Sequence, residues 1–436
     1  MPVFLSAAED DFDVRFDALL NAKRQSEFDV DGDVAGIIAD VRNRGDAAVI
    51  ALTAKFDRLD LTAQTLAFSV AETDAAIATV PAAEVAALEL AAARIRAYHQ
   101  RQLPKDETWT DDIGATLGWR WSAVDAAGLY VPGGLASYPS SVLMNAIPAQ
   151  VAGVARLVIC APTPAGKVNP LVLLAARLAG VETVYRIGGA QAIAAMAYGT
   201  DTIAPVDKIT GPGNAYVAAA KRRVFGHVGI DMIAGPSEVL IIADKNNDPD
   251  WIALDLLAQA EHDASAQSVL ICNDEGFANS VVGAVEKRLE TLKRREIAGK
   301  SWADFGAVIV VNSLDQAVDL SNRIAPEHLQ LCCENADELA QSIKHAGAIF
   351  IGAWTPEAIG DYVGGPNHVL PTSRSARFSS GLSVLDFMKR TTISKLSPQA
   401  LAEVGPAAET LAKSEDLQAH GLSVRARLAQ LNRNGQ

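Results

Sequence analysis

The chain has 436 residues, more than one hydrophobic core ordinarily supports, so two or more domains are expected. An apolar fraction of 49% belongs to a globular protein with large cores and excludes intrinsic disorder. A formal charge of −14 argues against nucleic acid, whose phosphates require clustered Lys and Arg.

The opening residues, MPVFLSAAEDDFD, lack a basic n-region and turn acidic at once, so no signal peptide is expected. No apolar run reaches the ~18 residues of a membrane span, and the expected compartment is the cytoplasm. Residues 8 to about 102 read as helices. DVAGIIADVRNRGDAAVIALTAKF keeps a helical apolar period, and VPAAEVAALELAAARIRAYHQRQL is an Ala-rich helix with Pro81 near its start. From Trp109 to Val131 the pattern turns to strand and turn, closing on a Gly-rich corner.

Two similar units follow. ARLVICAPTPAGKVNPLVLLAARLAGVETVYRIGG runs strand, loop, a helix opened at Asn169-Pro170, and strand. EVLIIADKNNDPDWIALDLLAQAEHDASAQSVLICND repeats that plan, with Asp248-Pro249 opening its helix. Short Val/Ile/Leu runs alternating with helices of this length indicate βαβ units in parallel sheets. GAVIVVN (306–312) and HLQLCC extend the second sheet, residues 365–387 resist both periods, and the end returns to helices, with Gly421 expected to stop one of them. The basic cluster Lys221-Arg222-Arg223 reads as a solvated helix end. Four cysteines are too few for a disulfide scaffold, and neighbours such as Cys332 and Cys333 in an extended segment point to opposite faces, as packing groups.

Chemistry needs partners, and histidine is scarce at seven residues. His99, His227 and His345 read as surface or structural, leaving His262, His328, His368 and His420. Asp255, Gln259 and His262 recur at i, i+4 and i+7 on the helix that Asp248 opens. Gln259 and His262 can converge on one ion, although a hydrated helix face has the same spacing. Asp361 and His368 share a loop stiffened by Gly360, Gly364, Gly365, Pro366 and Pro371, and Glu415 and His420 lie five apart near a helix end. NRIAPEHLQL sets Glu327 beside His328 in an apolar stretch. There is no G-x-G-x-x-G, but Gly188-Gly189 and Gly211-Pro212-Gly213-Asn214 each open a helix after a strand, where glycine lets a phosphate approach helix N–H groups.

Eight segments in one order, GLYVPGGLASYPSSVLMNAIPA, GGAQAIAAMAYGT, TGPGNAYVAAAK, DMIAGPSEVLIIAD, LLAQAEHD, APEHLQL, GDYVGGPNHVLPT and SGLSVLDF, resemble the histidinol dehydrogenase family from about residue 30 onward. These are zinc- and NAD-dependent enzymes that finish histidine biosynthesis. The resemblance implies an α/β fold of two incomplete Rossmann-like, doubly wound parallel-sheet domains with a helical N-terminal arm and a helical C-terminal tail. The divisions it implies are 1–25 for the arm, 26–127 plus 238–381 for the first domain, 128–237 for the second and 382–436 for the tail. It implies an intertwined homodimer in which the tail completes the partner's active site, so that Glu415 and His420 act across the interface.

Carried over by position, the resemblance makes Gln259, His262, Asp361 and His420 the ligands of one zinc per subunit. Ser237, His368 and Glu415 become substrate contacts, joined by the zinc ligands and His328, while Tyr130, Gln191 and Asn214 contact NAD. L-Histidinol would be oxidised twice with two NAD⁺. His328, whose ordinary pKa lies near neutrality, is the expected base for the hydroxyl proton, and Glu327 the base that activates water for the aldehyde step. If their segment is extended, the two side chains diverge, suiting two separate protons. Relatives with the same zinc frame oxidise other small alcohols, including sulfonated diols; APEHL and the Glu415/His420 pair favour histidinol. A non-catalytic protein that kept only the frame would lack the bases and the cofactor glycines, and all are present.

Overall fold

Glu238–Ala243 is buried along its whole length because side chains pack on both of its faces. Leu240 and Ile242 join Leu329 and Leu331 in one core, whereas Val239, Ile241 and Ala243 join Cys332 in the other. This period of two is what a strand inside a parallel sheet requires. Cys333 packs against the core opposite Cys332, as the extended reading expects, and all four cysteines are free.

The computed structural model describes residues 1–22, 30–132 and 138–434. Gly133 and Gly134 of the Gly-rich corner, and the arm boundary at 25/26, lie outside the described residues. Contacts divide the chain into one unit of residues 1–102 with 125–387 and a second of 103–124 with 388–436.

The first unit holds two parallel sheets. The six-stranded sheet has the spatial order Val3–Ser6, Ala307–Val310, Gln267–Cys272, Glu238–Ala243, His328–Cys332, Ala348–Ile351. The five-stranded sheet runs Thr183–Tyr185, Arg156–Cys160, Ala126–Tyr130, Lys208–Thr210, Gly229–Ile230. Both repeated strand–helix–strand units form as expected: Asn169 caps helix Pro170–Leu178 through Leu171 N–H, and Asp248 caps Pro249–Ala260 through Asp250 N–H. Edge strand Val3–Ser6, ahead of helix Phe12–Leu20, was not foreseen, since four residues carry too little pattern.

In the second unit, Met388–Lys395, Thr116–Ala123 and Glu107–Thr110 pair antiparallel, so the tail begins as a strand before its helices Pro398–Ser414 and Gln418–Asn434. Gly421 does not stop a helix. It lies inside Gln418–Asn434, and the break falls at Glu415–Leu417, where Asp416 adopts φ +58°. The basic cluster also needs correction: Arg222 and Arg223 are exposed, but Lys221 is buried against Asp231.

Candidate active site

Parallel strands place their first residues along one edge, and here that edge gathers candidate acid and imidazole side chains. Glu238 and His328 each begin a strand, and Glu327 directly precedes one. Glu327 Oε2 accepts the Glu238 N–H at 2.9 Å, and His328 Nδ1 lies 2.9 Å from the Glu238 carbonyl. A carbonyl only accepts, so Nδ1 carries the proton and Nε2 keeps its lone pair. The expected divergence of the two side chains does not occur. Both fold onto the same Glu238 backbone, with His328 Nδ1 and Glu327 Oε2 3.7 Å apart, because it offers a donor and an acceptor side by side.

His328 Nε2 is buried, has no hydrogen-bond partner among the described residues, and lies 3.6 Å from Glu357 Oε1. Burial lowers the His328 pKa, leaving a neutral imidazole. Burial raises Glu327 well above the ordinary carboxylate range, and repulsion from Glu238, Asp361 and Glu357 adds to it against the Glu238 N–H. Glu357 is raised by burial and by the charges of Asp361 and Asp255.

Helix Pro249–Ala260 brings Gln259 to the same region, with His262 in the turn just past its end. Gln259 Nε2 donates to His262 Nδ1 at 3.3 Å, and His262 Nε2 lies 3.7 Å from Asp361 Oδ2. Asp255, on the same helix, instead accepts from Gln330 at 2.6 Å. Asp361, on the short helix Glu357–Tyr362, stands 3.6 Å from His368 Nδ1, which donates to the Asp361 carbonyl at 3.1 Å. His368 Nε2 then accepts from Ser141 Oγ at 3.2 Å. Burial acts to raise Asp361, but the neighbouring His368, chiefly by hydrogen bonding, outweighs it and holds the carboxyl below its ordinary value. A cavity of about 910 Å³ opens on His328, His368, Phe350 and Gly360. Ser237, half-buried, immediately precedes strand Glu238–Ala243.

This edge suits a dication. Gln259 Oε1 is buried without a partner among the described residues, beside an imidazole and a carboxylate. Bringing in positive charge would favour the ionised forms of Glu327 and Glu357, which burial first and repulsion from neighbouring carboxylates second disfavour. Donor atoms of His328, Glu357 and Asp361 also lie within 4.8 Å of one another, so the two trios share Asp361. Glu415 and His420 belong to the second unit, where both are exposed. His99, Nδ1 bonded to Ile95 O, is buried and structural.

The cofactor candidates gather at the carboxyl ends of the five-stranded sheet, where open α/β sheets bind nucleotides. Tyr130 ends its strand buried, its hydroxyl accepting Gly189 N–H at 3.1 Å, and burial pushes its pKa up to about 12. Gln191 is buried in helix Gly189–Tyr198. Asn214 caps helix Ala215–Val224 through Tyr216 and Val217 N–H. A cavity of about 680 Å³ is lined by Gly213 and Asn214 and also by Asp263 and Ser265, just past His262.

Glu357, Glu238 and Ser141 were missed. Glu357 had a signal, a carboxylate four residues before Asp361 in PEAIGDY, whereas a serine in SYPSSVLMN carries none.

A family model described as histidinol dehydrogenase matches residues 20–428. A histidinol dehydrogenase of Ruegeria pomeroyi is 72% identical, over 99% of this chain and all of its own length. That of Cereibacter sphaeroides is 71% identical over the same shares. The crystal structure of histidinol dehydrogenase from Elizabethkingia anophelis superposes with a TM-score of 0.94 at 38% identity, covering 99% of both chains. The chain therefore belongs to the histidinol dehydrogenase family.

Proposed function

We propose that this chain oxidises L-histidinol through L-histidinal to L-histidine, reducing two NAD⁺ at the end of histidine biosynthesis. The observation that carries the reading is the buried Nε2 of His328, without a hydrogen-bond partner among the described residues, beside Glu327 and the Gln259/His262/Asp361 donor set.

In the first oxidation His328 Nε2 takes the hydroxyl proton as the carbinol hydride departs. In the second, Glu327 removes a proton from the water that adds to the aldehyde. As the water adds, His328 returns its proton to the aldehyde oxygen; the hydrate then loses its hydride to the second NAD⁺ while His328 takes one hydroxyl proton, and the carboxylic acid formed ionises to solvent. Gln259, His262 and Asp361, with His420, would hold one zinc, and Ser237, His368 and Glu415 would contact substrate. When bound, zinc would supply a Lewis acid for positioning the substrate, and NAD⁺, which Tyr130, Gln191 and Asn214 would hold, would supply the hydride acceptor.

The working form is a cytoplasmic homodimer in which each tail, with Glu415 and His420, completes the partner's site. In the proposed division, 26–127 plus 238–381 form one domain and 128–237 the other; the six-stranded sheet takes its strands from 238–381 apart from Val3–Ser6 of the 1–25 arm, while Ala126–Tyr130 crosses the 127/128 boundary and helix Asp31–Arg44 packs on the core of the five-stranded sheet. The tail, 382–436, is supported as a separate element by its place in the second unit from residue 388.

The test is NADH formed per L-histidinol consumed, before chelation, after it, and after zinc is returned. Two NADH per substrate, lost and then regained, is the expected result. Zinc-loaded protein that fails to turn over histidinol would refute the substrate, and full activity after complete metal removal would refute the zinc.

A further inference from the structure

The segment Gly211–Asn214 meets Tyr130 at the carboxyl edge of the five-stranded sheet, and a buried ion pair stands directly behind it. Lys221 Nζ pairs with Asp231 Oδ1, and the two side chains are 3% and 1% exposed. Lys221 Nζ also donates to the Gly211 carbonyl at 2.9 Å, while Asp231 Oδ2 accepts the Gly211 N–H at 2.8 Å. The pair therefore holds both backbone polar groups of one residue.

That residue is confined on its other side as well. Gly211 adopts φ +110°, and a Cβ there would lie 2.0 Å from the Tyr130 carbonyl oxygen. Three residues on, Asn214 opens helix Ala215–Val224, which itself carries Lys221. The pair thus fixes the spacing between Tyr130 and Asn214, two of the proposed cofactor contacts. Stability alone is a poor reason for it, because well-packed apolar side chains often replace a buried ion pair without loss.

We infer that Lys221 and Asp231 are positioning residues for the dinucleotide, gripping the Gly211 peptide so that Tyr130 and Asn214 stand ready for NAD⁺. This rests on the proposed function, since it presumes that these residues meet the cofactor. The pair touches neither cofactor nor substrate and acts through the loop alone.

The experiment compares wild type with the double variant Lys221→Met/Asp231→Leu, which removes both charges together and leaves no lone buried ion. Direct NAD⁺ binding, KM for NAD⁺, kcat, zinc content and melting temperature are measured. The expected double variant folds and keeps its zinc, melting below wild type because the Gly211 N–H and carbonyl lose their partners. Its NAD⁺ dissociation constant and KM rise at least ~10-fold, while kcat stays within ~3-fold. If it does not fold, Asp231→Asn serves instead: it keeps an acceptor for Gly211 N–H, removes the charge facing Lys221, and is expected to weaken NAD⁺ binding by ~3-fold or more. A folded variant of either kind that binds NAD⁺ as wild type does overturns the positioning role and leaves the cofactor reading standing. Wild-type protein that binds no NAD⁺ overturns both.

Discussion

One backbone carbonyl decides how His328 can act. The Glu238 oxygen takes the Nδ1 proton and so reserves Nε2 as the acceptor. His328→Ala should cut histidinol oxidation by roughly 10²–10⁴-fold while zinc content is unchanged. Loss of zinc from that variant, read by elemental analysis, would move His328 into the metal shell, where its proximity to Asp361 and Glu357 would explain it. Glu327→Gln should retain histidinol-to-histidinal turnover and lose histidinal oxidation, assayed with each substrate separately; equal loss of both would defeat the division of labour. Glu327 and His328 were legible because an acid and an imidazole in an apolar stretch require a reason to be there. Glu357 was not, because its distance from His328 is set by two chain segments 29 positions apart in number meeting in the fold. The burial of Lys221 was hidden likewise, since its partner Asp231 comes from beyond the end of its own helix.

Among the elements, the two parallel sheets carry their candidate residues at opposite edges. The five-stranded sheet presents Tyr130 and the glycine turns at its carboxyl ends. The corresponding crevice of the six-stranded sheet is lined by Asp244, Asp274 and Glu334 against the cation Lys245, an acidic excess that opposes a phosphate, and its amino edge carries the proposed bases instead. Central strand Glu238–Ala243 underlies that edge, so Ile242→Ala, at a fully buried position, should cost about 2–5 kcal/mol in denaturant unfolding. Helix Val70–Ile77 offers a pH test. Glu72 accepts Ser69 N–H at 2.8 Å and pairs with Arg186 at 2.9 Å; the Ser69 backbone bond is the larger influence, and together they hold its pKa at about 2 instead of 4.5. A folded value below the unfolded one contributes stability above pH 4.5 that is lost as pH falls toward 2. The melting difference between wild type and Glu72→Ala should therefore shrink over that window and stay constant above it. The strands and caps were readable because each depends on a local pattern, whereas Val3–Ser6 is held by its neighbour Ala307–Val310, some 300 residues distant.

For the whole molecule, the proposed exchange of tails predicts complementation. His262→Ala and His420→Ala should each be inactive alone. Unfolded together and refolded, they should recover about one quarter of wild-type activity, since half the dimers are mixed and each of those has one intact site. No recovery from a mixture shown to contain mixed dimers would place His420 in the site of its own subunit. The sequence by itself determined the α/β class, the paired strand–helix–strand units, the helix caps and the family. Those features rest on side-chain period, cap chemistry and residue order, which are local or additive along the chain. Tertiary structure alone decided that Glu327 and His328 share the Glu238 backbone, that Ser141 steadies His368, and that Lys221 is buried against Asp231. The first two are contacts between segments far apart in number and the third crosses from a helix to the chain beyond its end; their distance, burial and charge exist only once the sheets have assembled.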